Sequence, residues 1–196
     1  MRLFLAINLP ADVRREILGA TAALRATAPA LSWVEESKLH LTLKFLGEQD
    51  ESVVERVARA VDLVAYGHRA FDMRLGGIGA FPGFRRARVI WMGIAGEPKL
   101  ELLHHDVEVA CEELGFEVEG RAFRPHLTLA RAADRVRDED TMRRLSRAAK
   151  QVDYAVDVRV GSLDVMRSDL GAGAEMASGR RGARYQCLHS AALRAS

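Results

Sequence analysis

The sequence contains few cysteines, no long apolar run and no large excess of charge of either sign. Its two cysteines, Cys111 and Cys187, are isolated, so they indicate no disulfide framework. No apolar stretch reaches the roughly 18 residues that a membrane-spanning helix needs. The 29 Lys and Arg residues and 27 Asp and Glu residues give a formal net charge of +2, which by itself indicates no polyanionic partner.

The N-terminal sequence MRLFLAINLPADV lacks the pattern of a secretory signal peptide, because its apolar run is short and is interrupted by Asn8. With so few cysteines, this predicts a cytoplasmic protein. The chain has 196 residues, of which 48% are hydrophobic and 29% charged. These proportions suit a single globular domain at 1–196, or two small lobes that share a core.

Hydrophobic periodicity predicts strands and helices that alternate along the chain. Period-two runs and short apolar runs give the strands, and apolar positions three and four apart give the helices. Strands are predicted at 2–9, 38–47, 88–95, 123–131, 154–166 and 184–193, and helices near 13–24, 53–64, 100–114 and 138–150. The Gly-rich segment 71–81 is either a strand or a hairpin.

The sequence His-Leu-Thr-Leu occurs twice, beginning at His40 and at His126, 86 residues apart. The predicted elements around the two copies follow the same order. We therefore predict an α+β fold: a bilobal, pseudo-two-fold duplication of β-α-β-α-β units, with mainly antiparallel sheets, helices outside and a central cleft. The lobes are expected at about 1–81 and 85–196, and an exchange of terminal strands between them is left open.

Side chains alternate between the two faces of a strand, so each His shares a face with the Thr two positions later. His40 and Thr42 lie on one face of their strand, and His126 and Thr128 lie on one face of theirs. The leucines of both motifs then point to the core. If the halves face each other, the four polar side chains meet in one cleft.

Two histidines on opposite sides of a phosphate suit acid–base catalysis near neutral pH. One can deprotonate the attacking oxygen while the other protonates the leaving oxygen. Threonine hydroxyls can donate hydrogen bonds to the non-bridging oxygens and stabilise the developing charge. This chemistry needs neither a metal ion nor a covalent nucleophile, and a strained cyclic phosphate is a suitable substrate.

Two basic residues near the motifs are further candidates. Arg131 ends the second motif and is a candidate phosphate ligand. Strict alternation puts it on the leucine face, so this role requires a strand end or a bulge. Alternation places Lys44 on the face of His40 and Thr42, where it is either an RNA contact or an exposed rim residue.

Three other segments leave alternatives open. The sequence FPGFRRAR at 81–88 interleaves aromatic and basic residues, so it is either an RNA-contacting loop or a solvated hairpin loop. The segment 171–184 is Gly-rich but lacks the features of a P-loop, and it is either a hairpin connection or an RNA contact. Arg143, Arg147 and Lys150 form a basic helix face that serves solubility or RNA contact.

Taken together, these motifs resemble those of the two-histidine phosphoesterase superfamily and, within it, of the bacterial and archaeal RNA 2',3'-cyclic phosphodiesterase (2'-5' RNA ligase) family. The resemblance rests on LHLTL and PHLTL, on the opening RLFLAINLP, on KFLGE after the first motif and on RRARVIW before the second. It covers nearly the whole chain. One minor departure is Pro125, which stands where an aliphatic residue is usual.

The resemblance implies a bilobal fold and hydrolysis of an RNA 2',3'-cyclic phosphate to a 2'-phosphomonoester. It also implies that His40 is the proton donor and His126 the proton acceptor, an assignment that two nearly identical motifs cannot give. Thr42, Thr128 and Arg131 would bind the substrate, with no cofactor and no metal. The expected partners are RNA with 2',3'-cyclic phosphate ends or cyclic nucleotides, and a monomer is expected.

Three alternatives remain open. The first is a non-catalytic RNA-binding module of the same fold. The others are an enzyme acting on ADP-ribose 1'',2''-cyclic phosphate and one acting on a 2'-5' linkage. Reverse 2'-5' RNA ligation is left open as a second activity beside the main one.

Overall fold

A computed structural model of the chain describes residues 1–133, 138–169 and 183–195. In these ranges it contains nine strands and five α-helices. The strands are β1 (Arg2–Asn8), β2 (Ser32–Trp33), β3 (His40–Glu48), β4 (Phe71–Phe81), β5 (Val89–Ile94), β6 (His126–Arg131), β7 (Ala155–Val160), β8 (Ser162–Asp169) and β9 (Arg184–Ala192); the helices are α1 (Ala11–Ala20), α2 (Ala22–Thr27), α3 (Val54–Gly67), α4 (Pro98–Glu113) and α5 (Glu139–Ala149).

The strands form one antiparallel sheet in the order β7-β4-β5-β6-β3-β1-β8-β9, with the short β2 beside β6. Its centre is the contact between β3 and β6, the two strands that carry the His-Leu-Thr-Leu motifs. Outward from this contact, β5, β4 and β7 follow β6 on one side, and β1, β8 and β9 follow β3 on the other. The α+β class, the duplicated architecture and the antiparallel pairing are thereby confirmed.

Each half of the chain contributes a strand to the other half of the sheet. β4 belongs to the first half of the chain, but it pairs with β5 and β7, on the β6 side. Conversely, β8 comes late in the chain and pairs with β1, on the β3 side. The division into lobes at 1–81 and 85–196 stays a prediction.

Two predicted elements divide in the structure. The predicted helix around 13–24 breaks at Thr21, whose hydroxyl donates to the Ile17 carbonyl at 2.7 Å, giving α1 and α2. The predicted strand at 154–166 breaks at Gly161 into β7 and β8. No helix in the described part of the chain is long and apolar enough to cross a membrane.

Helices cover the leucine side of the sheet. α3 buries Val57, Val61 and Ala65 at four-residue spacing, so one apolar stripe faces the main core. A second, smaller core forms where α2 and α5 pack over Ile90 and Ala130. The opposite face, around the two motifs, is therefore the one on which polar side chains can gather.

Both motif strands contain a β-bulge one residue after the motif threonine. Leu5 pairs with Lys44 and Ala6 pairs with Thr42, which leaves Leu43 as the extra residue of β3. The corresponding irregularity in β6 leaves Leu129 extra, between the residues paired with Ile90 and Trp91. A bulge reverses the alternation of faces beyond it, so the residues after each motif lie on the face opposite to that predicted.

Candidate active site

The two motifs meet where Leu41 of β3 pairs with Leu127 of β6. Both leucines are buried in the main core, at 1% and 0% exposure. In an antiparallel pair the positions on either side of this contact face each other on the opposite surface of the sheet. Each motif histidine therefore lies across from the threonine of the other motif: His40 from Thr128, and His126 from Thr42.

The two histidine rings are held by the same hydrogen bond. His40 Nδ1 lies 2.7 Å from the carbonyl oxygen of Lys38, and His126 Nδ1 lies 2.7 Å from that of Arg124. A carbonyl oxygen only accepts, so Nδ1 carries the proton in both rings. Nε2 is then the nitrogen that gains or loses a proton, and in His40 it lies 3.0 Å from the hydroxyl oxygen of Thr42.

Aromatic side chains pack against both rings. The Phe4 and Tyr185 ring centroids lie 5.0 Å and 5.5 Å from that of His40. On the other side, the Phe81 ring lies 5.1 Å from His126 in an edge-on arrangement. These contacts restrict the orientation of both imidazoles, which suits a site whose donor and acceptor must keep a fixed geometry. The motif patterns gave no indication of Phe4 or Tyr185.

A cavity of about 330 Å³ lies beside this crossing, a volume suited to a small ligand. It brings together four of the five predicted site residues. His126 is absent from its lining and lies next to it, across from Thr42. The lining includes His40, Thr42, Thr128, Arg131, Lys38, Phe45 and Tyr185.

The bulge in β6 explains the position of Arg131. It lines the same cavity as His40 and Thr128, as the phosphate-ligand hypothesis requires. The bulge in β3 has the same effect 86 residues earlier, where Phe45 is 66% exposed and lines the cavity. The duplicated frame thus supplies a cation at one equivalent position and an aromatic ring at the other.

Burial lowers the pKa of His40, and the positive charge of Arg131 lowers it further. The hydrogen bond to the Lys38 carbonyl acts in the opposite direction. The neutral ring is therefore favoured in the unliganded site. A bound phosphate would favour the protonated ring, because a nearby negative charge stabilises imidazolium.

The sequence profile of the 2'-5' RNA ligase superfamily matches residues 11–172. The chain belongs to this superfamily. It is 29% identical, over 87% of its own length and 91% of the other's, to the RNA 2',3'-cyclic phosphodiesterase of Methanothermobacter thermautotrophicus. The protein of the same name from Geobacillus stearothermophilus is 33% identical over 65% of this chain, which spans only 41% of that longer relative.

Two solved structures share the fold along nearly the whole chain. E. coli LigT, complexed with 3'-AMP, superposes with a TM-score of 0.68 at 27% identity, covering 98% of this chain and 97% of LigT. The crystal structure of TT0787 from Thermus thermophilus gives a TM-score of 0.74 at 28% identity, with both chains fully covered.

Lys44 does not lie on the face of His40 and Thr42, so the hypothesis that it contacts RNA or forms an exposed rim is wrong. The β3 bulge turns it to the core side, where it is 5% exposed. Its Nζ donates to Glu108 Oε2 at 2.7 Å and to the Glu117 carbonyl at 2.8 Å. A buried ammonium needs such partners, because an uncompensated charge in the core is strongly unfavourable.

Glu108 links this ion pair to the segment that leads into the second motif. Its Oε2 also accepts the backbone N–H of Glu119 at 3.1 Å. The first motif strand, α4 and the chain approaching His126 are therefore connected through one carboxylate. The sequence contained a signal for this role, since Glu108 interrupts the buried stripe of α4 between Val107 and Cys111.

Two other predictions concern metal binding and the Gly-rich segment 171–184. Among the described residues, no group of three or more His, Cys, Asp or Glu side chains is placed to hold a metal ion. The segment 171–184, for which a hairpin connection and an RNA contact were left open, lies almost wholly outside the described residues. Its described end includes Ala183, which lines the 330 Å³ cavity.

Proposed function

We propose that this member of the 2'-5' RNA ligase superfamily hydrolyses RNA 2',3'-cyclic phosphates to 2'-phosphomonoesters by paired-histidine catalysis without a metal ion. The observation that carries the proposal is that the two histidine rings are held by the same hydrogen bond. Each Nδ1 donates to the carbonyl two residues earlier, so in each ring Nε2 is the nitrogen available for proton transfer. Two such groups at one strand crossing supply a general acid and a general base.

In the proposed reaction, His126 Nε2 takes a proton from a water molecule whose oxygen forms the new bond to phosphorus. The bond from phosphorus to the ribose 3'-oxygen breaks, and His40 Nε2 gives its proton to that oxygen. The product carries a 2'-phosphate and a 3'-hydroxyl. The proton then returns from His126 to His40 through solvent, which restores the starting state.

The other cavity residues stabilise the phosphate as charge develops. Thr42 and Thr128 each offer a hydroxyl donor, and the Arg131 guanidinium offers charged donors to the non-bridging oxygens. The threonines lie across from opposite histidines, so each can donate to a phosphate held between the two rings. Phe45, Phe4 and Tyr185 provide apolar walls for the nucleoside.

The assignment of donor and acceptor is part of the proposal. A donor must be protonated when the reaction begins, whereas burial lowers the pKa of His40 in the empty site. The anionic substrate reverses this effect, since its charge stabilises the imidazolium. We therefore propose that His40 becomes a competent donor only in the complex.

The relatives support this substrate class. Two of them are named RNA 2',3'-cyclic phosphodiesterase, and LigT was solved with 3'-AMP, a nucleotide phosphorylated on the ribose. The same residues would catalyse the reverse 2'-5' ligation, because an acid and a base exchange roles in the reverse direction. We also propose that the protein is cytoplasmic and monomeric. Size-exclusion chromatography coupled to light scattering would test the oligomeric state.

A substrate panel in excess EDTA tests the proposal. We expect conversion of 2',3'-cyclic nucleotides to 2'-nucleotides, with the same rate in EDTA and in added Mg²⁺ or Mn²⁺. Activity that is lost in EDTA and restored by a divalent metal would contradict the metal-free mechanism. Binding of RNA without turnover would instead support a binding module, and a higher kcat/KM for ADP-ribose 1'',2''-cyclic phosphate would change the substrate.

A further inference from the structure

A second and larger cavity, of about 880 Å³, lies between the loop joining β4 to β5 and helix α5. It is separate from the cavity at the motif crossing. Four arginines line it, two from the loop and two from the helix, together with the aromatic ring of Phe84. These arginines are Arg85, Arg86, Arg143 and Arg147.

The charges of this arginine groove are largely uncompensated. In the part of the chain that the structure describes, no ion pair engages Arg85, Arg86 or Arg147. Arg143 pairs with Asp140 on the exposed surface of α5, where such pairs contribute little. Among the described residues, Glu139 is the one carboxylate in the lining. Exposed guanidiniums gathered around one concavity favour a ligand with several negative charges.

A row of paired strand residues leads from Arg131 in the HLTL cavity towards the arginine groove. Arg131 in β6 pairs with Val89 in β5, and Val89 pairs with Phe81 in β4. Neighbouring strands are about 4.8 Å apart, so Phe81 lies roughly 10 Å across the sheet from Arg131. The next residue, Pro82, is the first that lines the groove.

We propose that the arginine groove binds the phosphodiester backbone of the RNA strand whose cyclic end occupies the HLTL cavity. The physiological substrate is then an RNA strand with several nucleotides 5' of its cyclic phosphate, and not a free cyclic nucleotide. This inference rests on the proposed function, because it places the reacting end at the two histidines.

The composition of the groove favours single-stranded RNA. Guanidiniums bind phosphate oxygens through paired hydrogen bonds, and an aromatic ring among them offers a surface on which a base can stack. Phe84 is half-buried beside Arg85 and Arg86, the arrangement typical of a site for a strand whose bases are unpaired. A free polyphosphate would use the arginines but would gain nothing from the ring.

The test compares two substrates and three paired variants. The substrates are a 2',3'-cyclic mononucleotide and a ten-nucleotide RNA with a 2',3'-cyclic end. The groove variants are Arg85→Gln/Arg86→Gln and Arg143→Gln/Arg147→Gln. The control is Arg56→Gln/Arg59→Gln, which removes the same charge from the exposed side of α3.

We expect each groove variant to lower kcat/KM for the oligonucleotide by about tenfold or more, through KM. The slope of log kcat/KM against log salt should flatten by about 1.4, because each variant removes two cations that bind phosphates and each cation contributes about 0.7. Mononucleotide turnover should stay within twofold for all three variants, and the control should match the wild type on both substrates.

Equal kcat/KM for the two substrates in the wild type, or groove variants that leave oligonucleotide kinetics unchanged, would overturn the inference. A parallel loss of kcat/KM on the mononucleotide would also overturn it. So would a groove that binds only free polyphosphate: inorganic tripolyphosphate would then inhibit mononucleotide turnover, the groove variants would abolish that inhibition, and RNA length would have no effect on kcat/KM. If the wild type hydrolyses neither substrate, the proposed function fails by itself. Fluorescence anisotropy with a labelled RNA ending in a 2'-phosphate then tests RNA binding by the groove directly. Weaker affinity in the groove variants would support the inference, and unchanged affinity would overturn it.

Discussion

Leu41 and Leu127 form the one residue pair through which β3 and β6 are joined in the described sheet. This pair sits at the centre of the duplication, and both of its residues are buried. Because each motif alternates His, Leu, Thr and Leu, one buried leucine pair brings each histidine across from the other motif's threonine. The leucines thus determine which polar side chains of the two motifs face each other.

The threonine hydroxyls should matter for rate more than for folding. Thr42→Val and Thr128→Val each remove one donor to the phosphate while keeping a β-branched side chain that suits a strand. Losing one such donor typically costs on the order of 10²–10³ in kcat. Steady-state kinetics on a 2',3'-cyclic nucleotide would measure this, with Thr→Ser variants as controls that retain the hydroxyl. Unchanged rates in both valine variants would show that the threonines only favour the strand.

Arg131 should act on the substrate and on His40 at once. Arg131→Gln removes a charged donor from the cavity and a positive charge that lowers the pKa of His40. We expect kcat/KM to fall by about tenfold or more and the pKa of His40 in the free protein to rise. NMR titration of the His40 ring would record that shift. Arg56→Gln, on the exposed side of α3, is the matched control. If the His40 ring titrates at the same pH in both variants, the charge of Arg131 does not act on His40.

The pH dependence should differ between the free protein and the complex. A donor is active below its pKa, and burial places that of His40 below its ordinary 6.5 in the free protein. kcat/KM, which reports the free protein, should therefore decline as pH rises through a value below 6.5. The decline of kcat should lie at higher pH, because the bound phosphate favours imidazolium. Coinciding limbs in the two profiles would contradict His40 as the donor.

Removing only one partner of the buried Lys44–Glu108 ion pair should lower the free energy of unfolding substantially. Lys44→Met leaves the Glu108 carboxylate in the core without its cation, which costs roughly 3–5 kcal/mol of unfolding free energy. Adding Glu108→Leu should recover most of that loss. Denaturant unfolding measures both, and Arg74→Met, which breaks an exposed pair with Asp157, should cost less than about 1 kcal/mol. Equal losses at both sites would show that burial is irrelevant.

The repeat and the periodicity of the sequence were sufficient to predict most elements and the strand face that carries the motif histidines and threonines. His40, Thr42 and Thr128 meet at one cavity because alternation along a strand is a local property. The pairing of β4 with β7 and of β8 with β1 was outside such reasoning, since it depends on contacts between distant segments. The same is true of Tyr185, which reaches His40 from the last strand.

The bulges show where local reasoning fails and what signal could have corrected it. Strict alternation placed Lys44 on the catalytic face and Arg131 off it, and the structure reverses both. The buried positions record the reversal, because Leu41 and Leu43 are odd-numbered whereas Leu46 is even-numbered. A change of parity in an apolar strand pattern predicts an inserted residue, and the duplicated copy repeats that change.

The comparison of His40→Ala, His126→Ala and the double variant on a 2',3'-cyclic nucleotide tests the central claim most directly. If the two rings act as one acid–base pair, each single variant loses most of its kcat, and the double variant is little worse than either. Thermal unfolding should show all three folded. Near wild-type turnover in either single variant, or losses that multiply in the double, would contradict a paired mechanism.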